Sequence, residues 1–311
     1  MHFLSEKQIV AIDSGGSKSD LLLLDVSGRI IARSTAPGIA ALHADLLPVE
    51  EYLHDGMKQL GVRPERIGLV FCSLGGPNTG EVAALLQKLL PCSRVYVERE
   101  SSGKMLLHKA ADYHAKAVCL CGTGSVAFGI VDGEFYLSGG WGPVYGDEGS
   151  GGGLGFSALK MILAAVDRGD AQNILPGVFP GLERPKKNCS YEKRMKFKDE
   201  VNSLSRAELA AETVRIDALA EAGDSDAEAL IRKSAAEIAS LIKNVTPSVP
   251  ERDFSGILAL GGFFRCGKFF RSEGEKALLR VRKSHHFIYE PFKMIDAAKE
   301  YALHLYRKDC L

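Results

Sequence analysis

One pattern occurs twice in this chain of 311 residues. From Ile9 to Asp25 two apolar runs flank a turn of Asp13, Ser14, Gly15, Gly16, Ser17 and Lys18, and Val26-Ser27-Gly28 leads into a third run, Ile30 to Ser34. At Ala117 the order returns: apolar run, the turn Gly122-Thr123-Gly124-Ser125, apolar run, the turn Val131-Asp132-Gly133, third run. Apolar runs this short, bounded by turn residues, predict strands, so each copy reads as an antiparallel meander. Two copies of one supersecondary unit imply two similarly folded halves. A single such turn is compatible with an ordinary hairpin. Its recurrence with the same Gly, Ser and Thr chemistry points to a function.

That chemistry suits phosphate and a metal ion. Successive N–H groups of a glycine-rich turn form an anion nest, the carboxylate of Asp13 can hold hydrated Mg²⁺, and Ser17 or Lys18 can meet a phosphoryl oxygen. Lys+Arg and Asp+Glu are equal at 39 each, so no basic nucleic-acid surface is expected. No apolar run approaches the roughly 20 residues needed to span a bilayer. The start, MHFLSEKQIV, has a charge pair where a signal peptide is apolar, and the expected location is cytoplasmic. The seven cysteines are scattered, several within apolar runs, and predict reduced core thiols, with no zinc or iron–sulfur spacing.

Between and after the two copies, helices alternate with strands. Helical spacing is expected over about 45–60, a strand over 66–73, a helix over 79–90, a strand over 94–98 and a helix through Ala111. Beyond the second copy, a glycine run enters a helix from Phe156 to Val166. Residues 167–202, polar and proline-broken, are expected to be irregular or a mobile flap. Ser205–Glu208 and Ser225–Glu228 fit the capping box of two helices. A strand from Gly256 to Leu260, a helix to about Arg280, a strand near 286–289 and a last helix from Phe292 complete the chain.

Several motifs admit two readings. Residues 262–269, GFFRCGKF, nearly match a P-loop, but Phe269 replaces the hydroxyl that would bind Mg²⁺. Gly261 and Gly262 alternatively allow close backbone approach to a flat group such as adenine, or simply make a tight strand-to-helix turn. Asp147 and Glu148, between glycines and near Trp141, suit a polyol, with carboxylates for the hydroxyls and an aromatic face for the carbon side. They also suit the capping of the following helix. Glu100 is either a base at a strand end or a first-turn helix acid.

The segments IDSGGSKSD, LCGTGS, GGWGPVYGDEGSGGGLG and LALGGFF stand in the order and spacing of the N-acetylglucosamine kinase-like, BadF/BadG-type ATPase family. The chain resembles that family over nearly its whole length. GGWGPVYGDEGS is the most specific piece, and looks more like the sugar-kinase branch than the dehydratase-activating ATPases. The resemblance implies an α/β fold of two ribonuclease H-like domains, as in sugar kinases, Hsp70 and actin, with MgATP in the interdomain cleft. The domains would be 1–116, with the C-terminal helix 292–311 packing back on it, and 117–291.

Residue by residue, the resemblance makes Asp13 the metal-linked carboxylate, Gly15, Gly16 and Ser17 the first phosphate loop, beside Lys18, and Gly122, Thr123, Gly124 and Ser125 the second. Gly261 and Gly262 match the adenosine motif. Trp141 and Asp147 match sugar-pocket residues, with Glu148 the next residue along, and Gly75, Gly76 and Asn78 match a further loop, from which Pro77 departs. Gly103 aligns Glu100 with the family's catalytic aspartate. The implied activity is phosphoryl transfer from ATP to a hydroxyl of an amino sugar, N-acetylglucosamine or a related hexosamine. The alternatives are an ATPase acting on a partner protein and a ligand-sensing pseudokinase. Dimers are common among such kinases, so a homodimer is a further expectation.

Overall fold

The computed structural model describes residues 7–15, 18–39, 47–76, 78–91, 93–99, 102–246, 255–265, 267–289 and 292–310. The chain divides into two compact units, residues 1–112 with 291–311, and residues 113–290.

In the first unit β1 (Gln8–Ser14), β2 (Lys18–Asp25) and β3 (Ile30–Pro37) form the meander, followed by α1 (Leu47–Gln59), β4 (Ile67–Leu74), α2 (Thr79–Leu89), β5 (Arg94–Arg99) and α3 (Lys104–Ala110). The C-terminal helix Met294–Asp309 belongs to the same unit. The sheet order is β3-β2-β1-β4-β5, with β1 antiparallel to β2 and parallel to β4. Side chains alternate across a strand. Val10, Ile12, Leu21, Leu23, Val70 and Cys72 therefore pack with Val49 and Leu53 of α1 and Val82 and Leu86 of α2. Ile9, Ala11 and Phe71 are buried on the opposite face, where Phe71 meets Tyr301 of the C-terminal helix edge-on at 5.1 Å.

The second unit repeats the plan. Its elements are β6 (Ala115–Cys121), β7 (Ser125–Val131), β8 (Glu134–Gly139), α4 (Gly151–Arg168), α5 (Tyr191–Ser203), α6 (Arg206–Ala211), α7 (Thr213–Glu221), α8 (Ser225–Val245), β9 (Ser255–Leu260), α9 (Lys268–Val281) and β10 (His285–Tyr289). The order β10-β9-β6-β7-β8 matches the first sheet strand for strand, so each unit has the ribonuclease H-like arrangement. Cys72, Cys119 and Cys121 are buried thiols outside any disulfide, and burial pushes the Cys119 thiol up to about 12. Such thiols are inert packing groups. Among the described residues no helix is long and apolar enough to cross a membrane.

Three expectations change. The glycine run is itself helical, with α4 starting at Gly151, because Ser150 caps it by accepting from the Gly153 N–H at 3.0 Å. The helix expected from a Ser225 capping box is capped instead by Asp224, whose Oδ1 accepts from the Ala227 N–H at 2.9 Å. Residues 167–202 contain α5, a polar helix held by buried Phe197.

The loop preceding α5 has its own staple. Arg184 donates to the carbonyls of Ala171, Ile174, Leu175 and Val178 at 2.7, 2.5, 2.9 and 2.7 Å. Unpaired buried carbonyls are costly, at about 1–3 kcal/mol each. Arg184→Met is therefore expected to lower the melting temperature by roughly 5–10 °C. An unchanged transition in a thermal melt would remove this role.

Candidate functional site

In the first unit the residues of interest lie where β1, β2, β4 and β5 end or begin. The β1–β2 turn is tightened by the Gly15 N–H donating to the Lys18 carbonyl at 3.0 Å. Beside it runs a hydroxyl chain: the Ile39 N–H donates to Ser14 Oγ, Ser14 and Ser19 share a 2.7 Å bond, and Ser19 donates to the Pro37 carbonyl. Gly16 and Ser17 lie outside the described residues, as do Pro77 and Glu100. Lys18 is exposed and pairs with Asp20 at 2.7 Å.

The strand register lines up a polar row across the sheet. Asp13 stands opposite Asp20 on one side and Ser73 on the other, and Ser73 stands opposite Glu98. Directly opposed residues share a face, so three carboxylates and a serine form one row across the sheet. Asp13 is half-buried, and its pKa is raised to about 7 by burial first and by the charge of Asp20 second, against opposing effects of Ser73 and Lys18. Glu98 accepts from Ser102 Oγ at 3.2 Å and Lys104 Nζ at 3.4 Å. Asn78 stands at the N-cap position of α2, after Gly75 and Gly76. Asp20, Ser73 and Glu98 escaped the sequence reading. Their signal was the two-residue period, legible only once the register is known.

In the second unit, three segments meet at the end of β6. The turn after Cys121 closes through the Gly122 N–H donating to the Gly124 carbonyl at 2.9 Å. It is stitched to the start of α4: the Gly151 N–H donates to the Gly122 carbonyl, and the Gly152 N–H to that of Thr123. Ser125 Oγ donates to the Glu148 carbonyl at 2.6 Å, and the Ser125 N–H to Asp147 Oδ1 at 3.3 Å. A Cβ on Gly124 would lie 2.5 Å from that oxygen, so the approach requires glycine. Gly261, at φ +103, sits against the Cys121 carbonyl, and Gly122 and Gly262 adjoin each other.

Asp147 is buried, and its Oδ2 accepts from Arg206 at 2.7 Å. The next residue, Glu148, is exposed, and Trp141, 74% exposed, stands out on the same loop with Tyr145. The loop's far end is anchored to α8, where Glu237 accepts from the Gly149 N–H and Ser234 donates to the Gly149 carbonyl. The structure thus gathers Gly122–Ser125, Asp147 and Gly261–Gly262 in one place. Arg206 had no distinguishing signal, since the surrounding Ser205–Glu208 segment reads as a capping box, which it also is.

The P-loop reading of residues 262–269 fails here. The N-terminal amides of α9 are already satisfied by carboxylates of α7, Lys268 N–H donating to Glu221 and Phe270 N–H to Asp217, both at 2.8 Å. An anionic phosphate has no place beside them. Phe263 and Phe264 are core residues.

The chain is 21% identical over 271 residues to an N-acetylmuramic acid/N-acetylglucosamine kinase of Clostridium acetobutylicum, covering 82% of this chain and 85% of that protein. A crystal structure from Chromobacterium violaceum, provisionally described as an N-acetylglucosamine kinase, superposes with a TM-score of 0.70 at 19% identity, covering 96% of this chain and 99% of that one. A ROK family glucokinase from Streptomyces griseus, in complex with glucose and AMPPNP, gives 0.55 at 16% identity, with 97% and 99% covered. The fold is therefore that of the actin-like, two-domain kinases. The model of the BadF/BadG/BcrA/BcrD ATPase family matches residues 10–291, and the chain belongs to that family.

Proposed function

We propose that this protein is an ATP-dependent sugar kinase whose acceptor is a hydroxyl of an amino sugar, N-acetylglucosamine or a related hexosamine. The observation that carries the reading is the convergence, in the second unit, of a phosphate-type turn, the Gly261–Gly262 pair and a loop carrying Asp147. The kinase names of the relatives support it.

In this reading Gly15, Gly16, Ser17 and Lys18 of the first unit and Gly122, Thr123, Gly124 and Ser125 of the second contact nucleotide phosphates. Gly261 and Gly262 admit the adenosine. Trp141, Asp147, Glu148 and Asn78 contact the acceptor, and Glu100 orients and deprotonates its hydroxyl. Asp13 fits a divalent cation, because it stands opposite a second acid, Asp20, and burial and that charge outweigh the compensation Lys18 supplies. Among the described residues no three His, Cys, Asp or Glu side chains cluster as a metal cage. That suits Mg²⁺, which is commonly held by one or two carboxylates, waters and substrate phosphates. When bound, the ion would neutralise phosphoryl oxygens, and the protein's remaining contribution is positioning.

The test is a coupled ADP-release assay with MgATP over hexoses, amino sugars and N-acetylated sugars. ADP release that depends on an N-acetylated hexosamine is expected. ATP hydrolysis indifferent to every sugar would overturn the proposal.

A further inference from the structure

Arg206, the first residue of α6, reaches across to two segments proposed to serve different substrates. Its Nη2 donates to Asp147 Oδ2 at 2.7 Å and approaches the Thr123 carbonyl at 3.5 Å. Thr123 belongs to the phosphate-type turn, and Asp147 to the loop proposed for the acceptor. The same Asp147 carboxylate accepts from the Ser125 N–H of that turn through its other oxygen. One ion pair therefore ties turn and loop together.

Three features show that the arrangement is tightly built. Asp147 has φ +64, a left-handed conformation that costs a non-glycine residue on the order of 1 kcal/mol, and its bonds to Ser125 and Arg206 hold it there. Gly152 leaves room for the guanidinium, since a Cβ there would lie 2.7 Å from Nη2. Arg206 Nε is buried with no hydrogen-bond partner, an uncommon expense in a folded protein. Nη2 is committed to Asp147, so the guanidinium holds that carboxylate in place. A carboxylate offers about four acceptor positions, so Asp147 keeps capacity for acceptor hydroxyls after serving Ser125 and Arg206.

We infer that Arg206 is a positioning residue that couples the phosphate-type turn Gly122–Ser125 to the acceptor carboxylate of Asp147. Both nucleotide and acceptor affinity then depend on a side chain whose bonds are made to the protein. The inference rests on the proposed kinase function. Arginine suits the role because its charge persists at every working pH and the planar Nη2 carries two N–H donors, which face Asp147 and the Thr123 carbonyl.

The test uses the full chain with two readouts: nucleotide affinity by calorimetry without any sugar, and steady-state kinetics with the best acceptor from the panel. Arg206→Met is expected to raise the ATP Kd and the acceptor KM each by about tenfold, the equivalent of one lost charge-assisted bond. The double variant with Asp147→Asn should have an acceptor KM within about threefold of Asp147→Asn alone, since both changes break one unit. If both constants are unchanged in Arg206→Met, whatever its melting temperature, the inference is overturned. Should that variant not fold, Arg206→Lys carries the test. It keeps a cationic donor but is shorter and loses the planar Nη2 pair, so a rise of a few-fold supports the coupling and unchanged constants overturn it. Wild-type protein that binds ATP but phosphorylates no sugar would sink the kinase proposal while the affinity comparison still decides the link to the turn. Wild-type protein that binds no ATP would overturn both.

Discussion

Asp13→Asn is expected to make the protein more stable at and above neutral pH while lowering its phosphoryl transfer by about 10²- to 10³-fold. The stability change follows from linkage. The carboxyl titrates at 3.8 when free and at about 7 in the fold, where burial and the charge of Asp20 oppose ionisation. Between those values the folded protein holds a proton that the unfolded chain has released, so stability falls as pH rises from about 4 to about 7 and levels off beyond. Asparagine titrates at neither point. The variant's advantage should be absent below about pH 4 and grow across that window to at most roughly 4 kcal/mol, from three pKa units at about 1.4 kcal/mol each. Melting curves for both proteins at several pH values between 4 and 8 measure it. Parallel curves would show that Asp13 is not held against its preference. The activity loss follows from the proposed cation role, because the amide oxygen is a weaker ligand and brings no charge to balance the ion.

A second large effect is expected at the proposed base. Glu100→Gln should lower turnover by about 10²- to 10⁴-fold, with ATP affinity nearly unchanged, because an amide of the same shape cannot take a proton. Glu98 is the competing carboxylate. It shares the sheet row with Ser73 and Asp13, but its oxygens are engaged by Ser102 and Lys104 at the start of α3. Glu98→Gln is expected to cost about tenfold, through loss of that anchoring. Single-turnover and steady-state rates for both variants separate the roles. A larger chemical-step loss in Glu98→Gln than in Glu100→Gln would transfer the base to Glu98.

The paired architecture was legible because strand signals are local. Each meander is written in adjacent residues, and the repetition of Ile9–Ser34 at Ala117 needs no knowledge of long-range contact. The same locality explains the misreadings. Gly151–Gly153 looked like a loop because helix propensity disfavours glycine, yet α4 packs so closely on α6 that a Cβ at Gly155 would lie 2.0 Å from the Leu209 carbonyl. Tertiary contact outweighed propensity there. GFFRCGKF nearly matches a phosphate loop, Phe269 already argued against that use, and the acids that consume its amides, Asp217 and Glu221, lie on a different helix where no local pattern shows them.

The sequence alone determined the two meanders with their glycine turns, the candidate residues Asp13, Gly122–Ser125 and Asp147, and the kinship they express. These depend on residue identity and short spacing, which the chain carries linearly. Tertiary structure decided which of those groups meet and how they are charged. The row Asp20–Asp13–Ser73–Glu98 comes from strand register, and the raised pKa of Asp13 from burial. The Arg206–Asp147 pair joins residues that no local pattern connects. Distance and desolvation set their chemistry, and both arise only when the chain is folded.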